Sequence, residues 1–324
     1  MKIYIFSLIN FGKTKYFEAK CYWFEAKFIY LLIFIIMFYY LLPLLAGFIA
    51  QYVDGTLGMG YGVSSSSLLV AAGFMPALVS ASVHMAEIFV SFTSGISHLK
   101  FGNVDKDILL PLIIPGIIGG VLGAYILSDI IPEKGVKIIV SFILLCLGLV
   151  IFLRFYFGKI KKREGNFSKR FVFAVGFAGG LLDAIGGGGW GPVCTSSLVA
   201  LNKRRPRKVI GSVNFAEFFV TISITVAFAI TLGIENFLWN ITLPLIVGGV
   251  IAAPLSAYTC KRIPSVLLGS LVGVLLMIIN AKTIISSFIS INFAIILAIL
   301  ISVFTLLLII KYAKPESRIL EEEE

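Results

Sequence analysis

Apolar side chains run through this chain in blocks of about 20 positions, separated by short polar clusters. The blocks are 28–42, 78–97, 108–127, 137–157, 209–232, 241–259, 265–280 and 290–311. Wound as helices rising about 1.5 Å per residue, blocks of this length match the roughly 30 Å of hydrocarbon in a bilayer. A transmembrane β-barrel is excluded, because its strands alternate with period two and run only about ten residues. The pattern predicts an all-α, polytopic transmembrane helical bundle.

Composition agrees with the pattern. Of 324 residues, 59% are hydrophobic and 14% charged, with a mean hydropathy of +1.01. A soluble domain carries about 25% charged residues, and this chain has too few to cover a water-facing surface. The net charge of +10 is explained by position, so no nucleic-acid partner is expected. Residues 158–170 hold six basic side chains and 203–208 hold five. Basic loops face the cytoplasm. Placing these two there assigns 1–27, 98–107, 158–170, 202–208, 260–264 and the C-terminal tail to the cytoplasmic side. With Arg154 at its helix end, that side collects 24 of the 27 Lys and Arg, leaving out Lys134, Lys137 and Lys282. The expected location is the cytoplasmic membrane, with both termini and the 158–170 linker inside.

Residues 1–27 mix Lys with aromatic residues and lack an apolar core followed by a small-residue cleavage site. They read as an interfacial segment, with no cleavable signal expected. Cys21, Cys146, Cys194 and Cys260 lie far apart without metal-ligand spacing and read as structural thiols. Glu321 to Glu324 form a solvated tail.

Self-similarity is the most informative feature. Residues 47–71 align with 176–200 at an offset of 129, with ten of 25 positions identical. The identities include Asp54/Asp183, Gly58/Gly187, Gly60/Gly189, Gly62/Gly191 and Ser67/Ser196. At offset 130, SVHMAEIFV (82–90) pairs with SVNFAEFFV (212–220); at offset 129 again, IIGGVLGA (117–124) echoes IVGGVIAA (246–253). The expected organisation is an N-terminal segment and extra helix (1–42), repeat 1 (43–157), a basic linker (158–170), repeat 2 (171–281), and an extra C-terminal helix with a charged tail (282–324).

Residues 171–201 offer 31 positions between two loops assigned to one side, where two full crossings need about 40. Gly186 to Gly189, Gly191 and Pro192 also break the segment in its middle. A Gly-rich, re-entrant helical hairpin fits better, and 42–72 is its counterpart from the opposite face. Three full crossings follow each hairpin, so the two repeats are inverted. Inverted repeats with interrupted helices characterise secondary transporters, whose half-helix N-termini face the cargo near the midplane. A glycine packing seam is the competing explanation.

Several residues are candidates for chemistry. Hydroxyls follow each glycine loop: Ser64, Ser65, Ser66 and Ser67 in one half, Thr195, Ser196 and Ser197 in the other. Beside the loop glycines Gly58, Gly60, Gly62, Gly187, Gly188, Gly189 and Gly191, they can present O–H and N–H donors to an anion. Tyr61 and Trp190, each between glycines, are expected to add one donor apiece. The ionisable residues inside apolar blocks are Asp54, His84, Glu87, Asp183 and Glu217. A charge at that depth costs about 2.5–3.5 kcal/mol, so each is a functional candidate. The carboxylates either couple transport to a cation or proton, or hold the glycine loops in shape. His84 stands opposite Asn214 in the repeat, a polar pair that has diverged. His98 reads as a loop residue. Metalloprotease HExxH and Walker A patterns are absent, no cofactor or metal is expected, and an enzyme is not indicated.

The run from Asp183 to Gly191 (DAIGGGGWG) with its following hydroxyls, and its partner from Asp54 to Gly62 (DGTLGMGYG), resembles the TauE/SafE family of sulfite and organosulfur exporters. The resemblance covers most of 43–281; the first copy departs from the usual glycine triplet at Met59 and Tyr61. It implies a transporter that exports small sulfur oxyanions or sulfonates by alternating access, with a small sulfur-containing anion and the bilayer as partners. The alternative is a Na⁺/H⁺-coupled transporter or channel for a non-sulfur substrate. A homodimer is compatible with the sequence.

Overall fold

The computed structural model describes residues 40–131, 133–157, 165–201, 203–260 and 265–288, and all its regular structure is helical. In chain order the elements are α1 (Leu42–Leu57), α2 (Tyr61–Ala71), α3 (Pro76–Lys100), α4 (Lys106–Tyr125), α5 (Glu133–Phe157), α6 (Lys169–Gly186), α7 (Ser196–Ala200), α8 (Pro206–Leu232), α9 (Trp239–Thr259) and α10 (Ser265–Ser286). A π-helical turn, Ile126–Ile130, extends α4, and another, Gly191–Thr195, leads into α7. Among the described residues, five helices are long and apolar enough to cross a membrane: Pro76–Lys100, Lys106–Ile130, Val136–Arg154, Pro206–Leu232 and Trp239–Thr259. They correspond to five of the expected blocks. The block at 265–280 falls within α10, whereas 290–311 and most of 28–42 lie outside the described residues.

The exterior is apolar, unlike that of a soluble protein, and a group of ionisable side chains is enclosed within an otherwise largely apolar core. Ile230, Ile114, Ile49 and Leu110 point outward with more than half of their surface exposed. Asp54, His84, Glu87, Asp183 and Glu217 are all buried. An apolar surface this continuous would aggregate in water. In a bilayer it is the solvated face, which makes the chain a multi-pass membrane protein.

Small residues set how closely the helices approach. α4 packs against α6 through Gly116, Gly119 and Gly123 on one side and Gly176 and Gly180 on the other. α1 packs against α9 through Gly47 and Gly248; a Cβ on Gly47 would stand 2.5 Å from the Leu245 carbonyl oxygen. Lipid gives no hydrophobic drive for helices to associate, so this backbone-to-backbone contact supplies dispersion contact instead. The packing-seam explanation thus holds for these glycines, which are distinct from those of the two loops. The remaining large contacts pair α3 with α8, α5 with α10, α4 with α8, and α3 with α9.

One end of the bundle is tied by polar contacts. Arg204 Nε donates to Asp105 Oδ2 at 3.0 Å, and Arg204 Nη2 donates to Asn166 Oδ1 at 2.9 Å. Lys208 donates to the Val104 carbonyl, and Asn103 Nδ2 lies 3.5 Å from the Ala257 carbonyl oxygen. The 101–105 loop, the 203–208 segment, the chain end of the basic linker and the end of α9 therefore share one face. His98 belongs to the last turn of α3 and is fully buried, with Nδ1 3.3 Å from Asn103 Nδ2. It is a packed helix residue and not the loop residue its sequence position suggested, because α3 runs on to Lys100.

Candidate functional site

Each glycine segment interrupts a helix for a local reason. Gly58 ends α1 and Gly187 ends α6 in the left-handed conformation, with φ of 71° and 68°. Their N–H groups turn back to the Asp54 and Asp183 carbonyls at 2.5 and 2.7 Å. Only glycine takes this conformation without a steric cost, and it is the usual way a helix stops. The chain restarts at Tyr61 in one half and after Trp190 in the other, where Pro192 removes a donor from the π-helical turn.

The two loops meet. A Cβ on Gly62 would stand 2.6 Å from the Gly188 Cα, and one on Gly191 would stand 2.6 Å from the Gly58 carbonyl oxygen. Ser66 Oγ crosses between them and donates to the Gly187 carbonyl at 2.5 Å. The two segments that align at an offset of 129 thereby become neighbours. A narrow cleft remains at the junction, about 160 Å³ in all and without room for a water-sized sphere. Asp54, Glu87, Asp183 and Glu217 line it together with Gly60, Gly62, Val63, Gly188, Gly191 and Pro192.

Two of these carboxyl groups, Asp183 and Asp54, accept N–H groups of the loops. Asp183 Oδ1 accepts the backbone N–H groups of Gly189 at 2.7 Å and Trp190 at 3.0 Å. Asp183 Oδ2 lies 3.1 Å from His84 Nε2. In the other half, the Asp54 carboxylate faces the backbone N–H of Tyr61 and the side-chain amide of Asn214. Asn214 Oδ1 in turn accepts from Ser94 Oγ at 2.9 Å. The same construction thus appears twice: an aspartate near the end of one helix caps the start of the next, and a side chain at equivalent positions, His84 or Asn214, holds its second face. A hydrogen bond of this kind stabilises by about 0.5–1.5 kcal/mol, and several together fix an otherwise irregular backbone.

The other predicted residues fall into place unevenly. Tyr61 donates its hydroxyl to the Leu245 carbonyl at 3.2 Å, and Trp190 Nε1 donates to the Val213 carbonyl at 2.9 Å. Both donors expected for an anion are therefore spent on backbone oxygens in this conformation. Ser67 accepts from Asn280 Nδ2 at 2.8 Å, and Ser196 Oγ points at Met59 Sδ, 3.8 Å away. Ser64 is half-buried near the start of α2. Ser65 Oγ and Thr195 Oγ1 are buried and make no hydrogen bond. All these hydroxyls stand behind the cleft wall, which glycines and carboxylates form.

His84, Glu87 and Asp183 place one ligand atom each within 4.8 Å of one another. His84 and Asp183 are bonded to each other directly, however, and an ion between them would have to break that bond. Sequence reasoning missed Arg154, whose Nη1 donates to the Thr195 carbonyl at 2.8 Å. Its place at the end of a span marked it as a loop charge; its reach back to the second glycine segment carries no local signal.

Buried ionisable side chains inside a lipid-facing bundle are costly and mark a pathway or binding site, which defines a membrane protein of the transporter class. The chain belongs to the TauE/SafE family: the family model "Sulfite exporter TauE/SafE" matches residues 43–283. It is also 43% identical over 247 residues to the "Probable membrane transporter protein YtnM" of Bacillus subtilis (strain 168), across 75% of this chain and 82% of that protein. No solved structure matches the chain. The protein is a membrane transporter and not an enzyme.

Proposed function

We propose that this transporter moves small organosulfur anions, such as sulfite, sulfoacetate or related sulfonates, outward across the cytoplasmic membrane by alternating access. One observation carries the reading. The helix starts at both glycine loops already bind anions, namely the protein's own carboxylates, on Gly189, Trp190 and Tyr61 N–H groups. A sulfonate oxygen is a carboxylate-like acceptor and can take over these donors once the aspartates withdraw. Thr195 and Ser65, buried without hydrogen-bond partners, then have O–H groups to offer. The narrow cleft fits the occluded stage of such a cycle.

The chain is read as two units, 43–157 and 171–281, inverted with respect to each other, each opening with a re-entrant hairpin. The exchanged pairing supports this: the first helix of each unit packs on the fourth of the other, α1 on α9 and α6 on α4. Third helices pair across the molecule, α3 with α8, as do the fifth, α5 with α10. Lengths agree too, since the 11 residues of α2 extend only about 16 Å, short of a full crossing. The end that gathers Arg204, Asp105 and Asn166 is assigned to the cytoplasm, along with both termini. Both loops come from one chain, so the reading needs no second protomer.

The test is flux of labelled sulfoacetate in proteoliposomes, challenged by sulfite, taurine and a carboxylate analogue. Inhibition by sulfite and sulfonates but not by the carboxylate supports the reading. Four carboxylates on one cleft favour a second reading, in which Na⁺ or H⁺ binds there and the cargo is not a sulfur anion. That reading predicts cation-dependent flux insensitive to sulfite.

A further inference from the structure

The protonation of His84 follows from its partners. Nδ1 lies 2.7 Å from the Ser80 carbonyl oxygen, which can only accept, so Nδ1 carries a proton. The Ser80 hydroxyl, 3.3 Å from the same nitrogen, spends its own proton on the Ala184 carbonyl at 2.6 Å. Nε2 faces Asp183 Oδ2 at 3.1 Å. With Nδ1 already protonated, that contact needs a second proton, on Nε2 or on Oδ2. Either placement gives the pair one proton more than a neutral imidazole and an ionised carboxylate. Without it, a nitrogen lone pair would face a carboxylate oxygen inside a closed site. Glu87 Oε2, buried with no hydrogen-bond partner, stands only 3.8 Å from Nε2.

The second half of the molecule supplies a comparison. There Asn214 takes the place of His84 and faces Asp54. An amide donates at every pH and never titrates, so the same construction stands without an extra proton. An imidazole partner exists on one side only. Asp183 on α6 and Glu87 on α3 itself face His84; Glu217 on α8 and Asp54 on α1 line the adjoining cleft with them, and Tyr61 on α2 lies beside Glu87 and Asp54. α5, which also touches α3, carries Lys137 and Arg154, the latter on the Thr195 carbonyl.

We propose that the His84–Asp183 pair is a proton-binding site that loads one proton together with each anion, so that a dianion such as sulfoacetate still crosses as a net anion and the inside-negative potential drives it outward; this rests on the transport reading above. The linkage is mechanical. Asp183 holds the pair's proton on one side and the Gly189 and Trp190 N–H groups on the other. An anion that captures those N–H groups displaces Asp183 into a site shared with three further carboxylates. There the displaced group keeps the proton, so anion and proton each strengthen the other's binding. One proton binds and one proton leaves per cycle, with no bond made or broken besides O–H or N–H.

Two measurements test this. In proteoliposomes clamped at zero membrane potential, the wild type should accumulate labelled sulfoacetate by about tenfold per unit of imposed pH difference, the ratio for one proton. His84→Asn copies the Asn214 arrangement and should equilibrate sulfoacetate to a ratio near one at any pH difference, whatever its rate. His84→Gln serves if His84→Asn does not fold. Either variant accumulating as the wild type does overturns the proposal. The second measurement does not depend on cargo. The chain has two histidines, so ¹⁵N spectra of histidine-labelled protein contain two residues, assigned by His84→Asn. A protonated Nδ1 with Nε2 hydrogen-bonded is expected for His84. A bare Nδ1 overturns the proton site even if sulfoacetate is not the cargo, whereas absent wild-type flux with the expected spectrum overturns only the substrate assignment.

Discussion

Replacing Asp183 separates its role as an acceptor from its charge. Asp183→Ala leaves the Gly189 and Trp190 N–H groups buried and unpaired, bonds now 2.7 and 3.0 Å long. Each unsatisfied buried donor costs about 1–3 kcal/mol, so the pair amounts to about 2–6 kcal/mol. His84 Nε2 also loses its partner at 3.1 Å. Asp183→Asn keeps an oxygen for both N–H groups and turns an amide donor toward Nε2, so its cost should stay below about 1 kcal/mol. Reversible unfolding in mixed micelles, followed by tryptophan fluorescence, compares the two. Asp183→Ala should lie several kcal/mol below Asp183→Asn. Equal stabilities, within about 0.5 kcal/mol, would refute the claim that this carboxylate holds the loop.

Thr195→Ala removes a hydroxyl without a partner, so stability should hold while sulfonate affinity falls about 3–10-fold in a binding titration. Ser66→Ala instead loses the bond to the Gly187 carbonyl and should cost about 0.5–1.5 kcal/mol in the unfolding assay. Gly62→Ala forces a Cβ to within 2.6 Å of Gly188 and 2.7 Å of Glu87 Oε1, and should cost about 1–3 kcal/mol and depress flux by separating the loops. In a cysteine-free background, Arg205→Cys should react with an impermeant maleimide only from the cytoplasm and Asn236→Cys only from outside; the reverse pattern would invert the assigned orientation.

The lipid-crossing helices were legible because a 20-residue apolar block has few other uses, and the five described spans coincide with expected blocks. The glycine loops and their aspartates were legible because a repeat displays them twice. The offset of 129 could not say that Gly62 would touch Gly188, since that depends on how α2 and α6 pack. Nor could it say which donors are free. Tyr61 and Trp190 look alike in the alignment and both end on carbonyls of distant helices, Leu245 and Val213. The sequence left two roles open for the carboxylates, coupling or holding the loops; the bonds from the Gly189 and Trp190 N–H groups to Asp183 could not be read from it, and the proposed proton site gives the same residue both roles. Arg154 shows the opposite failure: a charge at a helix end reads as a loop marker until its side chain is traced inward to Thr195.

The central claim is that the two loops open onto a sulfur oxyanion, and transport measures it most directly. Purified protein in proteoliposomes should carry labelled sulfoacetate with saturable kinetics, blocked by sulfite and sulfonates and not by the carboxylate analogue. Flux that ignores sulfite, or that equals protein-free liposomes with insertion verified, would contradict the account.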